Sequence, residues 1–320
     1  MNETPSVPPP VNPHSPHDLK ADHLLLTSSF TVATVIILVF AKTVAYVYSG
    51  SAAVLSSLID SLSDVGLSLM TLLSIRWSLK PADDNHRHGH GKIEGVAALL
   101  QSAFLVGAAS FLIFEVMSRL LNPQAMHAHL FTMMLMGFSA LLSLLLVFVQ
   151  KRSLAKNRSL ALEADHVHYS SDVWINGSTF AVVLLDYLKI FPGIIDLICA
   201  LAVAGLLLRS AYQIALKAFD MLMDRELSPD IRAKIEQTVL AHPEVQGLHD
   251  LRTHQSGLKM FISFDVEVDP NMLMWSAHEI ARAVEHDLLR LFPNAEILIH
   301  LDPAGDTHDT RHHNKASVVK

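Results

Sequence analysis

Cysteine is almost missing from this chain. Among 320 residues there is one, Cys199. No internal disulfide can form and no thiolate cluster is available, so any metal must be held by His, Asp and Glu. Charge is scarce as well, at 17% of residues against 51% hydrophobic, with a mean hydropathy of +0.34. That balance excludes an ordinary soluble domain and indicates a polytopic membrane protein with soluble additions. A basic excess is lacking: the formal net charge is -7 and the pI about 6.2, which gives no reason to expect nucleic acid. The first residues are polar and Pro-rich, with no basic segment leading into an apolar one. They read as lacking a cleavable signal peptide.

What is present is six apolar segments, at about 24–47, 54–77, 94–121, 129–150, 162–188 and 192–213. Each is long enough for a hydrocarbon core of about 30 Å, which needs roughly 20 residues. The second and fifth are the least apolar, as helices facing a bundle interior would be. Lys and Arg set the orientation. They gather in the loop after segment two (Arg76, Lys80, Arg87, Lys92) and in the loop after segment four (Lys151, Arg152, Lys156, Arg158). The turn Ser49-Gly50-Ser51 has none. Both termini are therefore expected in the cytoplasm. The division predicted is a disordered tail over 1–22, a six-helix membrane domain over 23–213, a linker over 214–227, a cytoplasmic domain over 228–303, and a disordered tail over 304–320 containing His308, His312 and His313.

Two polar stretches interrupt the apolar runs. Asp60 and Asp64 stand four apart in the second, and His168 and Asp172 stand four apart in the fifth. On helices each pair lies on one face, one turn above the other. Packed together they bring four ligands to a divalent cation, enough for a tetrahedral site. Each carboxylate at the centre of a span costs about 2.5–3.5 kcal/mol on insertion scales, so three oppose insertion by roughly 8–10 kcal/mol before pairing. The plainer reading is that neighbouring hydroxyls on Ser57, Ser61, Ser63, Ser170 and Ser171 satisfy them.

The C-terminal part reads differently. Ser228-Pro229-Asp230 is a helix start, with Ser as cap and Pro at the first turn. His249 to Thr253 reads as a strand and Gln255-Ser256-Gly257 as a hairpin turn. Residues 260–268 alternate apolar and polar in the manner of a half-buried strand. A helix over about 273–291 and a strand from Glu296 to Leu301 complete the order α-β-β-α-β, expected to form a small ferredoxin-like, metallochaperone-like α+β domain.

Six spans, D-x-x-x-D in the second, H-x-x-x-D in the fifth and this C-terminal domain resemble the cation diffusion facilitator family. Pro81-Ala82-Asp83-Asp84-Asn85-His86, Gly89-His90-Gly91-Lys92, His249-Asp250-Leu251-Arg252-Thr253 and Ile299-His300-Leu301-Asp302-Pro303 are similar to its bacterial zinc/ferrous-iron efflux subgroup. The resemblance implies a transport site at Asp60, Asp64, His168 and Asp172. It implies a loop site at Asp83, His86 and His90, and a bridging cytoplasmic site at His249, His278, His300 and Asp302. A further ligand of that site, usually His in relatives, falls on Asp265. Lys92 and Asp224 match a charge pair that holds protomers together. A homodimer in the bacterial inner membrane is implied, exchanging zinc or ferrous iron, and also cadmium or cobalt, for protons. His168 is the natural proton carrier. No organic cofactor is expected. The competing readings are a metal sensor or scaffold that binds without transporting, and a membrane-embedded metalloenzyme.

Overall fold

The computed structural model describes residues 16–49, 52–121, 130–156, 159–187, 194–305 and 318–319, and the side chains of most of them. Among the side chains outside that description are Asp60 and Cys199, and His308, His312 and His313 lie in a stretch left out altogether.

Six long helices come first: α1 (Pro16–Ser49), α2 (Ala52–Ser78), α3 (Ile93–Leu121), α4 (Leu130–Leu154), α5 (Leu160–Tyr187) and α6 (Ile194–Leu222). Among the described residues, four helices hold a stretch long and apolar enough to cross a membrane: Ala21–Val44, Ile93–Ser118, Gly137–Leu154 and Ala200–Leu222. The two left over, α2 and α5, carry the aspartates and His168. Apolar side chains such as Ile37, Phe40, Phe111, Phe114, Leu141 and Phe148 are exposed on the outside of the bundle. Polar ones turn inward. Gln150 donates from Nε2 to Asp165 Oδ2 at 2.7 Å and to Thr31 Oγ1 at 3.3 Å, and Ser68 Oγ lies 2.6 Å from the Tyr169 hydroxyl. In a bilayer no water completes such groups, so they must be paired inside the protein.

Several boundaries differ from expectation. α1 begins at Pro16, within the stretch read as a tail, and α6 continues to Leu222, beyond the predicted end at 213. Two residues past the end of α6, Asp224 takes a φ of 54°, and Arg225 Nη1 donates to Asp220 Oδ2 across the turn.

The C-terminal domain follows: α7 (Pro229–Leu240), β1 (Gly247–Ser256), β2 (Lys259–Val268), α8 (Met274–Leu291), β3 (Ala295–Pro303) and β4 (Val318–Val319). The sheet order is β3-β2-β1-β4, with β1 and β2 antiparallel and β2 and β3 parallel. One face carries the core of Ile235, Val239, Leu248, Ile262, Phe264, Val266, Val284 and Leu288 against α7 and α8. β4, within the stretch read as a disordered tail, pairs with Gly247 and Leu248. Ser228 stands at the predicted cap of α7 with Pro229 behind it, but its side chain makes no capping hydrogen bond. The hairpin turn lies later than predicted. Ser256 pairs with Lys259, so the turn is Gly257-Leu258, with Gly257 at a φ of 59°.

Candidate metal centres

Within the membrane domain, α2 and α5 bring Asp64, His168 and Asp172 together. One ligand atom from each lies within 4.8 Å of the others. His168 Nε2 is 3.0 Å from Asp64 Oδ1 and 3.6 Å from Asp172 Oδ2. The His168 residue is 8% exposed, with the Phe104 and Tyr169 rings edge-on against it. Asp60, one turn before Asp64 on α2, is the expected ligand whose side chain lies outside the described residues. Two of the nearby serines commit their hydroxyl protons elsewhere: Ser63 donates to the Ile59 carbonyl and Ser171 to the Val167 carbonyl. Those bonds weaken the plainer reading of hydroxyl-satisfied carboxylates.

A missed residue positions α5. Glu94, 1% exposed at the start of α3, accepts hydrogen bonds from Ser159 Oγ at 2.6 Å, the Leu160 backbone N–H at 3.0 Å and Ser78 Oγ at 2.7 Å. It caps the N-terminus of α5 from a different helix and ties it to the end of α2, so both ligand-bearing helices are held at one carboxylate. Only its place as a single acid opening an apolar run marked it in sequence.

The loop after α2 gathers Asp83, His86 and His90. Asp83 Oδ1 is 3.2 Å from His86 Nδ1 and Oδ2 is 3.3 Å from His90 Nε2. The backbone N–H of His86 donates to Asp83 at 2.7 Å and that of Asn85 at 3.0 Å. The His86 N–H bond is the main reason the Asp83 carboxyl is held below its usual range. His90 Nδ1 is buried without a hydrogen-bond partner. His88 turns away and meets the Phe261 ring edge-on.

On the open face of the sheet, His249, Asp265 and Asp302 form a third cluster. The register explains it: His249 faces Asp265, and Asp265 faces His300, across three neighbouring strands. His249 Nε2 is 3.1 Å from Asp302 Oδ2 and 3.6 Å from Asp265 Oδ2. The other oxygen of Asp302 lies 3.0 Å from His300 Nε2, so one carboxylate joins two imidazoles. Burial raises the Asp265 carboxyl, and the nearby His249 and His300 only partly offset it. His278 is exposed on α8 and stands beside Trp275, outside this cluster. Glu267, not anticipated, approaches His249 Nδ1 at 3.3 Å. A carboxylate there fixes the tautomer, leaving Nε2 toward Asp302 and Asp265. Glu267→Gln is expected to weaken metal binding by this cluster about 10–100-fold, measured by calorimetric titration, with the domain's melting temperature little changed.

Lys92 and Asp224 meet at 2.8 Å within a single chain, joining the start of α3 to the end of α6. Beside them the β1–β2 hairpin packs on the loop after α2. A Cβ on Gly91 would stand 2.3 Å from the Ser256 carbonyl oxygen, and one on Gly257 would stand 3.1 Å from Gly91 Cα. Backbone against backbone leaves no room to yield. Gly91→Val is expected to separate the hairpin from the membrane domain and raise amide exchange over residues 252–260, read by hydrogen-exchange mass spectrometry.

A family model described as the cation efflux transmembrane domain matches residues 28–223, and one for the cation efflux protein cytoplasmic domain matches residues 227–304. The chain belongs to the cation efflux family. A curated cation-efflux pump FieF from Shewanella oneidensis is 38% identical over 278 residues, covering 87% of this chain and 93% of the relative. One of the same name from Cronobacter sakazakii is 39% identical over 272 residues, covering 85% and 89%. Among solved structures, the metal-bound C-terminal domain of the CzcD transporter from Thermotoga maritima is 30% identical, covers 24% of this chain and 92% of its own, and has a TM-score of 0.24. As a cation efflux family member the protein is an integral membrane transporter of divalent metal cations, not an enzyme.

Proposed function

We propose that the protein exports zinc or ferrous iron, with cadmium and cobalt as further substrates, from the cytoplasm in exchange for protons. Asp60, Asp64, His168 and Asp172 hold the travelling ion. The observation that carries this reading is the convergence of His168 on α5 with Asp64 on α2 and Asp172 on α5.

Exchange follows from one atom having two uses. Protonated, His168 Nε2 donates to Asp64. Deprotonated, its lone pair ligates a cation beside the carboxylates. Metal and proton therefore compete for the same place, and binding either displaces the other. Helix movements that open the site to one face and then the other turn this competition into antiport. An imidazole among carboxylates suits zinc or ferrous iron.

The cytoplasmic cluster is the regulatory site. Metal there is held by His249, Asp265, Asp302 and His300, and His278 on α8 serves a second copy, giving a homodimer. Exposed Leu273, Met274 and Trp275 beside His278 support a contact on that face. Asp83, His86 and His90 hold a further ion at the loop. The placement of Lys and Arg supports an inner-membrane protein with both termini in the cytoplasm.

The test is metal uptake into sealed proteoliposomes containing a metal-sensitive dye, with zinc, ferrous iron, cadmium and manganese in turn. Uptake of zinc or ferrous iron that speeds up when a proton gradient is imposed supports the reading. Folded protein that moves none of the four metals overturns it.

A further inference from the structure

α1 carries a lysine where a spanning helix should have none. Lys42 is 6% exposed, and its Nζ donates to Ser61 Oγ on α2 at 2.7 Å. Ser61 follows Asp60 directly and precedes Asp64 by three positions. The amine is therefore held within one helical turn of both acidic positions. A lysine inside a span costs about 2.5–3.5 kcal/mol on insertion scales, and near helix ends such side chains run out to the interface. Lys42 runs across to the ligand-bearing helix instead. A neutral amide would serve as a donor to a serine hydroxyl without that cost, whereas lysine also brings a positive charge next to the acidic positions of α2.

We propose that Lys42 is a fixed counter-charge of the transport site, an inference that rests on reading Asp60, Asp64, His168 and Asp172 as that site. Three aspartates carry one more negative charge than a divalent ion cancels. Lys42 supplies the difference, so the loaded site is neutral within the bilayer. In the empty site the same cation tempers the mutual repulsion of the carboxylates. Against a bound ion it is a like charge, and it keeps binding weak enough for release. Lys42 is in this sense a positioning residue for charge, acting on the metal through space while its hydroxyl anchor holds it in place.

The experiment is steady-state zinc flux in proteoliposomes for wild type, Lys42→Gln, Lys42→Arg and Asp64→Ala. Gln keeps a donor for Ser61 and removes the charge. The expected result is a KM lowered about tenfold with a reduced kcat, because an ion held more tightly leaves more slowly. Arg, which keeps charge and donor, restores wild-type values. Should Lys42→Gln fail to fold, Lys42→Met removes the same charge without burying an amide and carries the same expectation. A KM unchanged or raised in the folded neutral variant, with Asp64→Ala inactive, overturns the counter-charge and leaves the site standing. Flux surviving in Asp64→Ala overturns the site itself.

Discussion

Asp64→Ala and Asp172→Ala are each expected to cut metal flux by about a hundredfold or more, since losing even an outer partner of a metal ligand costs about 10–100-fold. Each removes a carboxylate that approaches His168, at 3.0 Å and 3.6 Å respectively, and leaves the imidazole with too little negative charge to hold a divalent ion away from water. The same variants should fold as well as wild type or better. A carboxylate inside a span opposes insertion by about 2.5–3.5 kcal/mol, and alanine relieves that cost. Inactivity together with an unchanged or raised melting temperature, read by fluorescence in detergent, separates a lost ligand from a damaged bundle. A fall in activity that tracks a fall in melting temperature would instead mark these aspartates as structural.

Asp302→Ala has the second largest expected effect. Its two oxygens reach His249 and His300 separately, so losing it disconnects the two imidazoles and leaves Asp265 as the carboxylate facing His249 Nε2. Metal binding by the cytoplasmic domain is expected to weaken about a hundredfold, measured by titration of the full chain in an Asp64→Ala background so that the membrane site is silent. Asp302 lies on the open face of the sheet, away from the core packed on α7 and α8, so the domain should stay folded. With the membrane site intact, flux through Asp302→Ala should persist but no longer respond to cytoplasmic metal. Flux lost outright would make the cytoplasmic cluster part of the transport path.

Much of this was legible in the sequence because helices and strands impose simple periods. The i, i+4 spacing of His168 and Asp172 put both on one face of α5, and their approach to Asp64 follows once α2 and α5 pack. Alternation along residues 260–268 gave β2 and its polar face, and therefore the location of Asp265. What was hidden depends on partners distant in the chain. Glu94 caps a helix that begins 66 residues later, a relation no local pattern encodes. Glu267 was read only as one of the polar residues of a strand, and its role depends on His249 lying one strand away. Phe261 also belongs to the polar face by alternation, yet it is buried by His254, stacked at 4.8 Å, and by His88. Contact with the loop after α2 overrides the strand's own pattern. Lys42 was read as part of an apolar segment, and only its bond to Ser61 shows that its amine reaches across to α2.

Proton-for-metal exchange at the membrane site is tested most directly by recording both fluxes in the same proteoliposomes, with a metal-sensitive and a pH-sensitive dye trapped inside. Zinc entering should be matched by protons leaving at a fixed ratio, and a proton gradient imposed without a zinc gradient should drive zinc uphill. Both signals should vanish together in Asp64→Ala. Zinc entry unaccompanied by proton movement, and indifferent to the imposed gradient, would contradict the exchange.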